Sequence, residues 1–190
     1  MRFITISGFA GSGKSSLISL IIKDFSKRGL KTCVVKRAEE IEIRKHEAEF
    51  MKSGAKSVVV ISPDISLAVF NRRLELKDIP SLVSCDFLLL EGFKREPLPR
   101  IVVAKNEEEA SELTDEWTIA LTSFRRSLKA RNVLFVSPEQ IPELILDKSP
   151  YFPLWTDCGL CGHRNCVSFL RSSLSEGPLP CPAADKLKSQ

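Results

Sequence analysis

Apolar runs and helical patterns alternate along most of this chain. Residues 2–7 (RFITIS) are apolar and β-branched and predict a buried first strand. Residues 17–25 (LISLIIKDF) carry helical patterning, with Lys27, Arg28 and Gly29 as its end signal. Residues 31–36 (KTCVVK) read as a second buried strand and residues 40–53 as a polar amphipathic helix closed by Gly54. Residues 57–61 (SVVVI) predict a strand ended by Ser62-Pro63, and residues 65–70 another that can form a hairpin with it. A helix is expected over 77–84 and a continuous apolar strand over 86–90 (DFLLL). Further strands are expected at 101–104, 117–121 and 133–136, and a last helix at 138–146. Strands separated by helix-length segments predict an α/β fold, a mostly parallel sheet flanked by helices.

The pattern changes near Lys148. Ser149-Pro150-Tyr151-Phe152-Pro153 resembles a short stiff linker, and beyond it lie four of the six cysteines among Gly and Pro. The expected organisation is a nucleotide-binding domain over 1–148, a linker over 149–156 and a metal-cluster domain over 157–190. So short a tail buries little apolar surface and needs a metal or cross-link to fold.

The loop after the first strand carries the main chemical signal. Gly8-Phe9-Ala10-Gly11-Ser12-Gly13-Lys14-Ser15 fills every fixed position of G-x-x-x-x-G-K-[ST]. Small residues let such a loop wrap an anion with its backbone N–H groups, and the helix that follows adds its positive dipole end. Lys14 is expected to reach the β- and γ-phosphates, and the Ser15 hydroxyl to ligate Mg²⁺. A nucleoside triphosphate is the expected ligand.

In open α/β sheets ligands lie beyond the carboxyl ends of the strands. Those ends deliver Lys36 and Arg37, Ser62, Glu91 with Gly92-Phe93-Lys94, and Thr122 with Ser123. Asp86 starts its strand and belongs at the opposite edge. Glu91 fits the role of the acid that holds Mg²⁺ or orients water, or else a carboxylate paired with a nearby lysine. Lys36 and Arg37 are candidates to neutralise phosphate or a second anionic ligand, or else form a solvated strand end. Arg125, Arg126, Lys129 and Arg131 form a basic cluster, read as a solvated helix face. His46 and His163 read as surface residues, and Glu107-Glu108-Glu109 as an exposed helix start.

Charge and composition narrow the partners. The 190 residues are 43% hydrophobic and 27% charged, ordinary for a globular protein, and the net charge of +4 suits anionic small molecules. No basic stripe is interleaved with aromatics, so no nucleic acid is expected. No apolar run has membrane-spanning length and the first segment reads as a core strand, not a leader. No membrane is therefore expected, and a cytoplasmic protein is.

Disulfides are not the expected use of cysteine in such a chain. Cys158, Cys161, Cys166 and Cys181 have the spacing C-x2-C-x4-C-x14-C. Four thiolates suit an iron–sulfur cluster or, as the lesser alternative, zinc. Three close cysteines and one remote are commoner for a cubane cluster. Cys33 and Cys85 read as core or incidental.

Two resemblances meet in this chain. Residues 1–148 resemble the molybdopterin-guanine dinucleotide biosynthesis protein B (MobB) family. The carriers are the GFAGSGKSS loop (Gly8 to Ser16), Lys36, Met51-Lys52-Ser53-Gly54-Ala55, and Asp86-Phe87-Leu88-Leu89-Leu90-Glu91-Gly92-Phe93-Lys94 followed by Leu98-Pro99-Arg100-Ile101. The family usually has Lys-His where this chain has Lys36-Arg37. The resemblance implies a homodimer that binds GTP with Mg²⁺, hydrolyses it weakly and assists attachment of GMP to molybdopterin. Residues 157–182 resemble a small four-iron, four-sulfur (4Fe-4S) domain, through Asp157-Cys158-Gly159-Leu160-Cys161-Gly162, Cys166, Phe169, Gly177 and Cys181-Pro182.

The expected function is thus a slow GTPase serving molybdenum or tungsten cofactor biosynthesis or insertion. Lys14 and Glu91 are its catalytic candidates, and Gly8, Gly11, Ser12, Gly13, Lys14, Ser15, Ser16 and Lys36 its nucleotide contacts. Ser15 and Glu91 are the expected Mg²⁺ ligands, and the four tail cysteines the cluster ligands. Expected partners are molybdopterin or its guanine dinucleotide and the enzymes that use the cofactor. The alternatives are a non-catalytic nucleotide- or cofactor-binding adaptor that docks to a redox enzyme, and a small-molecule kinase with an arginine-rich lid.

Overall fold

A computed structural model describes residues 1–130 and 132–186. The elements run β1 (Arg2–Ser7), α1 (Lys14–Lys27), β2 (Thr32–Lys36), α2 (Lys45–Lys52), β3 (Ser57–Ile61), β4 (Ser66–Phe70), α3 (Ile79–Leu82), β5 (Phe87–Glu91) and β6 (Arg100–Val103). Then come α4 (Glu107–Leu113), β7 (Thr118–Thr122), α5 (Ile141–Lys148), α6 (Cys166–Glu176) and α7 (Pro182–Lys186). Five strands form one parallel sheet in the order β2-β5-β1-β6-β7, which confirms the α/β expectation. The chain divides into two compact units, one of residues 1–37 with those from 80 onward, the other of residues 38–79. Among the described residues no helix is long and apolar enough to cross a membrane.

In the first unit the core follows from the period-two pattern of the central strands. Ile4 and Ile6 of β1, Leu89 of β5 and Ile101 and Val103 of β6 face Leu17, Ile21 and Phe25 of α1. Val102 and Leu121 on the opposite face pack with Ala110 and Leu128. All five residues of β5 are buried, as its continuous apolar run requires. Helix α1 ends as its signal predicts. Gly29 takes φ +74°, its N–H reaches the Ser26 carbonyl, and the Leu30 N–H reaches that of Phe25.

The segment after α5 joins this unit through β1. Arg2 bridges Tyr151, the Phe3 N–H donates to the Pro150 carbonyl, and the Phe3 and Phe152 rings meet edge-on at 5.1 Å. Arg171 of α6 lies over the Trp117 ring and pairs with Glu116 at 2.9 Å.

In the second unit β3 and β4 form an antiparallel hairpin of their own. Val59, Ile61, Ile65 and Leu67 are exposed, with Ile61 and Ile65 at 81% and 75%.

Several sequence expectations change. β2 is an edge strand and only half-buried, because β5 is its one neighbour. The helix expected from residue 40 begins at Lys45, since Glu40-Ile41-Glu42-Ile43 alternates with period two and gives no helical stripe. The strand at 57–61 belongs to the hairpin and not to the parallel sheet, so Ser62 does not follow a strand of that sheet; its hydroxyl bonds Ile65 across the turn. Residues 77–84 hold a single 3₁₀ turn at Leu76–Asp78 and the four-residue α3. The strand expected at 133–136 reduces to one bridge between Phe135 and Leu121, beside Asn132 at φ +52°.

Candidate functional site

The phosphate-binding motif takes the shape its residues permit. β1 ends at Ser7, the loop crosses to Gly13, and α1 starts at Lys14 with Gly13 at φ +102° as its N-cap. A side chain on Gly8 would meet the Ser12 hydroxyl and the Val103 carbonyl. One on Gly13 would begin 2.8 Å from the Phe124 ring. The loop therefore needs glycine where its backbone comes closest to its surroundings.

The Ser12 hydroxyl is buried and has no hydrogen-bond partner among the described residues. A buried polar group without a partner is costly within a protein, and a water or a ligand can supply one. The loop, its glycines and this hydroxyl fit a phosphate group. Ser15 and Ser16 follow in the first turn of α1, both exposed. Ser15 is thus accessible for the Mg²⁺ role its motif position predicts.

Lys14 lies over the loop, its Nζ donating to the Phe9 carbonyl at 2.8 Å. Burial holds its ammonium below the ordinary lysine value, opposed by Glu91 and reinforced by Lys94 and Lys36. Those four side chains form one electrostatic cluster. Lys36 and Glu91 are partners in the parallel register of β2 and β5, and Lys36 Nζ stands 3.7 Å from Glu91 Oε1. Glu91 is 9% exposed, so its charge needs such neighbours. Glu91 thus pairs with a lysine, as one of its two readings expects, and interacts electrostatically with Lys14.

The turn after β5 adds groups that the motif does not name. Its Gly92 carbonyl accepts from the Ser7 hydroxyl at 3.1 Å, and the Gly92 N–H donates to the Ile6 carbonyl at 3.2 Å. Phe93 has φ +48°, and Arg37 lies 4.2 Å over its ring. Lys94 Nζ lies 4.3 Å over the ring of Phe9, inside the phosphate loop. Arg37 pairs with Glu96 at 2.5 Å. Buried Arg100, the first residue of β6, donates to the Lys94, Glu96 and Leu98 carbonyls and so holds this turn. Nothing in the pattern of β6 marked Arg100 as a buried anchor.

On the other side of the loop, Lys105 Nζ reaches the Ala10 carbonyl at 3.4 Å and pairs with Glu109 at 2.9 Å. Asn106 caps α4, accepting from the Glu109 N–H, as the expected helix start requires. Thr122 and Ser123 are buried at the end of β7, and the Ser123 hydroxyl accepts from Arg125 N–H at 3.3 Å. Arg125, Arg126 and Lys129 lie in irregular chain and not on a helix, while Arg131 falls outside the described residues. Asp86 lies at the opposite edge, as expected, and accepts from the Lys31 N–H at 2.8 Å.

The tail brings Cys158, Cys161, Cys166 and Cys181 to the wall of one recess, shared with Pro153 and Phe169. Cys166 and Cys181 are buried and Cys158 is exposed. Cys166 opens α6 behind the Asn165 cap, and its N–H donates to Asp157 Oδ1 at 2.7 Å. Burial raises its thiol above the ordinary value. Among the described residues no three His, Cys, Asp or Glu side chains are grouped closely enough to hold a single metal ion. His163 is partly exposed with its ring against Phe169, and His46 is exposed as expected.

Residues 3–123 match the profile of one family, described as molybdopterin guanine dinucleotide synthesis protein B. The chain is similar to a Methanocaldococcus jannaschii protein named a molybdopterin-guanine dinucleotide biosynthesis adapter protein, 27% identical over 183 residues. That alignment covers 90% of this chain and 72% of the relative. A Haemophilus influenzae adapter protein of the same kind is 27% identical over 117 residues, 54% of this chain and 62% of its own. The chain thus spans less than two thirds of that second relative. The crystal structure of Bacillus subtilis MobB superposes with a TM-score of 0.65 at 21% identity, over 77% of this chain and 96% of that one. A MobB homologue from Bacillus stearothermophilus gives 0.60 at 22%, over 77% and 97%. At such identities these two structures show the fold.

Proposed function

The chain belongs to the molybdopterin guanine dinucleotide synthesis protein B family, and from that premise we propose that it binds Mg-GTP in the loop after β1 and hydrolyses it slowly in the service of molybdenum or tungsten cofactor biosynthesis. The observation that carries this reading is the cradle itself: glycines at its closest approaches, an orphan Ser12 hydroxyl, and Lys14, Lys36, Lys94 and Glu91 around it. Lys14 and the loop N–H groups would hold the phosphates and stabilise charge that develops on them. Ser15 and Glu91 would hold Mg²⁺, whose chemistry is to neutralise phosphate charge.

Calorimetry with Mg-GTP and a phosphate-release assay test the proposal. Saturable binding of one nucleotide per chain with turnover well below that of a dedicated GTPase is the expected result. Absence of nucleotide binding refutes it. Mass spectrometry of ligands retained on purification would identify GTP, GDP or a pterin dinucleotide directly.

The relatives' names favour a second reading, in which binding rather than turnover is the output and the chain is an adaptor between pterin dinucleotide and cofactor enzymes. Tight binding of the finished dinucleotide without phosphate release would select it. A homodimer belongs to either reading and is supported by the exposed apolar hairpin residues Val59, Ile61, Ile65 and Leu67.

The tail extends the proposal to a 4Fe-4S cluster held by Cys158, Cys161, Cys166 and Cys181, with zinc as the lesser alternative. Its support is the convergence of all four cysteines on one recess. Anaerobically purified protein should carry iron and acid-labile sulfide, with visible absorption that dithionite bleaches. A colourless protein with one zinc refutes the cluster.

A further inference from the structure

A nucleotide presents two chemistries, a polyanion and a flat π-face. The described cradle is chemically divided in a matching way. On the β2–β5 side of the loop stand Lys36 with Glu91, Lys94 over Phe9, and Arg37 with Glu96. That side is charged and suits phosphate and metal. On the β6–β7 side stands an aromatic ring, Phe124, two residues past the end of β7. Its edge contacts the position a Gly13 side chain would occupy, with Cδ2 at 2.8 Å and Cε2 at 3.2 Å. The residue is nonetheless 46% exposed. It is an apolar surface touching the phosphate loop and open to solvent.

Lys105 stands on this same side of the loop. It is tied to the Ala10 carbonyl and to Glu109, so its stem is fixed beside the loop rather than free in water. We infer that Phe124 is the platform on which the base of the bound nucleotide stacks, with Lys105 bordering the same subsite. This rests on the proposal that the loop holds nucleotide phosphates, and adds what that proposal leaves open: where the base lies. An isolated exposed phenylalanine is unremarkable. One held against the last glycine of a phosphate cradle lies where a base can reach it while the phosphates stay in the loop. Stacking on a phenyl ring is tolerant of base identity, because every base has a π-face. The ring thus supplies affinity for purine nucleotides in general and does not by itself choose guanine over adenine.

The test compares ligands with and without a base on the full-length protein. Binding of Mg-GTP, Mg-ATP and inorganic tripolyphosphate is measured by calorimetry for wild type, Phe124→Ala and Phe124→Trp. The expected result is that Phe124→Ala weakens each nucleotide by about tenfold or more. Tripolyphosphate should stay within about twofold, and Phe124→Trp should hold wild-type nucleotide affinity. Unchanged nucleotide affinity in Phe124→Ala overturns the inference, as does a parallel loss of tripolyphosphate, which would mean that the ring only props up the loop. Equal wild-type affinity for GTP and tripolyphosphate also overturns it while sparing the phosphate loop. Wild-type protein that binds neither removes the underlying proposal and the inference with it.

Discussion

Lys14→Ala should leave the empty protein almost as stable as before and strip it of nucleotide binding. In the folded chain the Lys14 ammonium donates to the Phe9 carbonyl at 2.8 Å. A hydrogen bond to a charged group contributes about 1.5–3 kcal/mol. Against it stand the burial that holds Lys14 below its ordinary value and the repulsion of Lys94 and Lys36. Once the side chain is gone, water can replace it at the carbonyl of this open loop. The net change should be within about 1 kcal/mol, a shift of roughly 2–4 °C in Tm for a chain of this size. Binding behaves differently. Two charged hydrogen bonds to phosphate, even at the low end, contribute about 3 kcal/mol, hence about 150-fold in Kd. Mg-GTP at about 100 times the wild-type Kd should stabilise the wild type by about 2.7 kcal/mol, or roughly 5–10 °C. The same concentration is then below the Kd of the variant and should move its Tm by about 1 °C. Differential scanning calorimetry of both proteins, with and without Mg-GTP, reads all four values. A variant that keeps the full nucleotide-induced shift would falsify the placement of phosphate in this loop. An empty variant that melts ten or so degrees lower would show that Lys14 is a structural residue.

Arg100→Met leaves the Lys94, Glu96 and Leu98 carbonyls without their shared donor. It should cost about 2–4 kcal/mol and speed amide exchange across residues 92–98, and an unchanged urea midpoint would contradict the role given to Arg100. Burial, then the neighbouring Cys33 thiol, pushes Cys85 up from 9.0 to about 12. Its folded state keeps the proton where the unfolded chain has lost it, so this contribution is intact below pH 9 and falls away as pH climbs from 9 towards 12. Cys85→Ala should flatten that alkaline limb in urea melts, and alkylation followed by mass spectrometry should label exposed Cys158 before Cys85. The reverse order, or an identical alkaline limb, would count against this account of the thiol. Val59→Glu combined with Ile61→Lys puts charge on the exposed face of the β3–β4 hairpin. Sedimentation should then report a monomer in place of a dimer, and a wild type that is monomeric at all concentrations would dismiss the dimer.

What could be read from the chain before its structure was local in origin. The period-two run of β1, the glycines and lysine of the loop, and the Gly29 stop of α1 are each decided by residues close in sequence, and all three stand. The continuous apolar run of β5 likewise announced a fully buried strand that ends in an acid. Readings failed where the outcome depended on pairing at a distance. The strand at 57–61 has the composition of a sheet strand, but its partner is its own hairpin mate, so Ser62 follows a hairpin strand and not one of the parallel sheet. Val133 to Val136 has the composition too, yet it meets β7 in a single bridge, with Leu134 and Val136 both bonded to Leu121. The candidate site shows the same division. Lys36 and Glu91 were visible as residues at the ends of strands, whereas Phe124, one residue beyond Thr122 and Ser123, was not singled out. Which of them meet depends on the order β2-β5-β1-β6-β7. Because β2 and β5 lie side by side in parallel register, Lys36 and Glu91 become direct neighbours. β7 lies on the far side of β1, and Phe124 just beyond it lands against Gly13. A list of strand ends therefore names the chemistry available to the cradle, whereas only the strand order separates its charged side from its aromatic one.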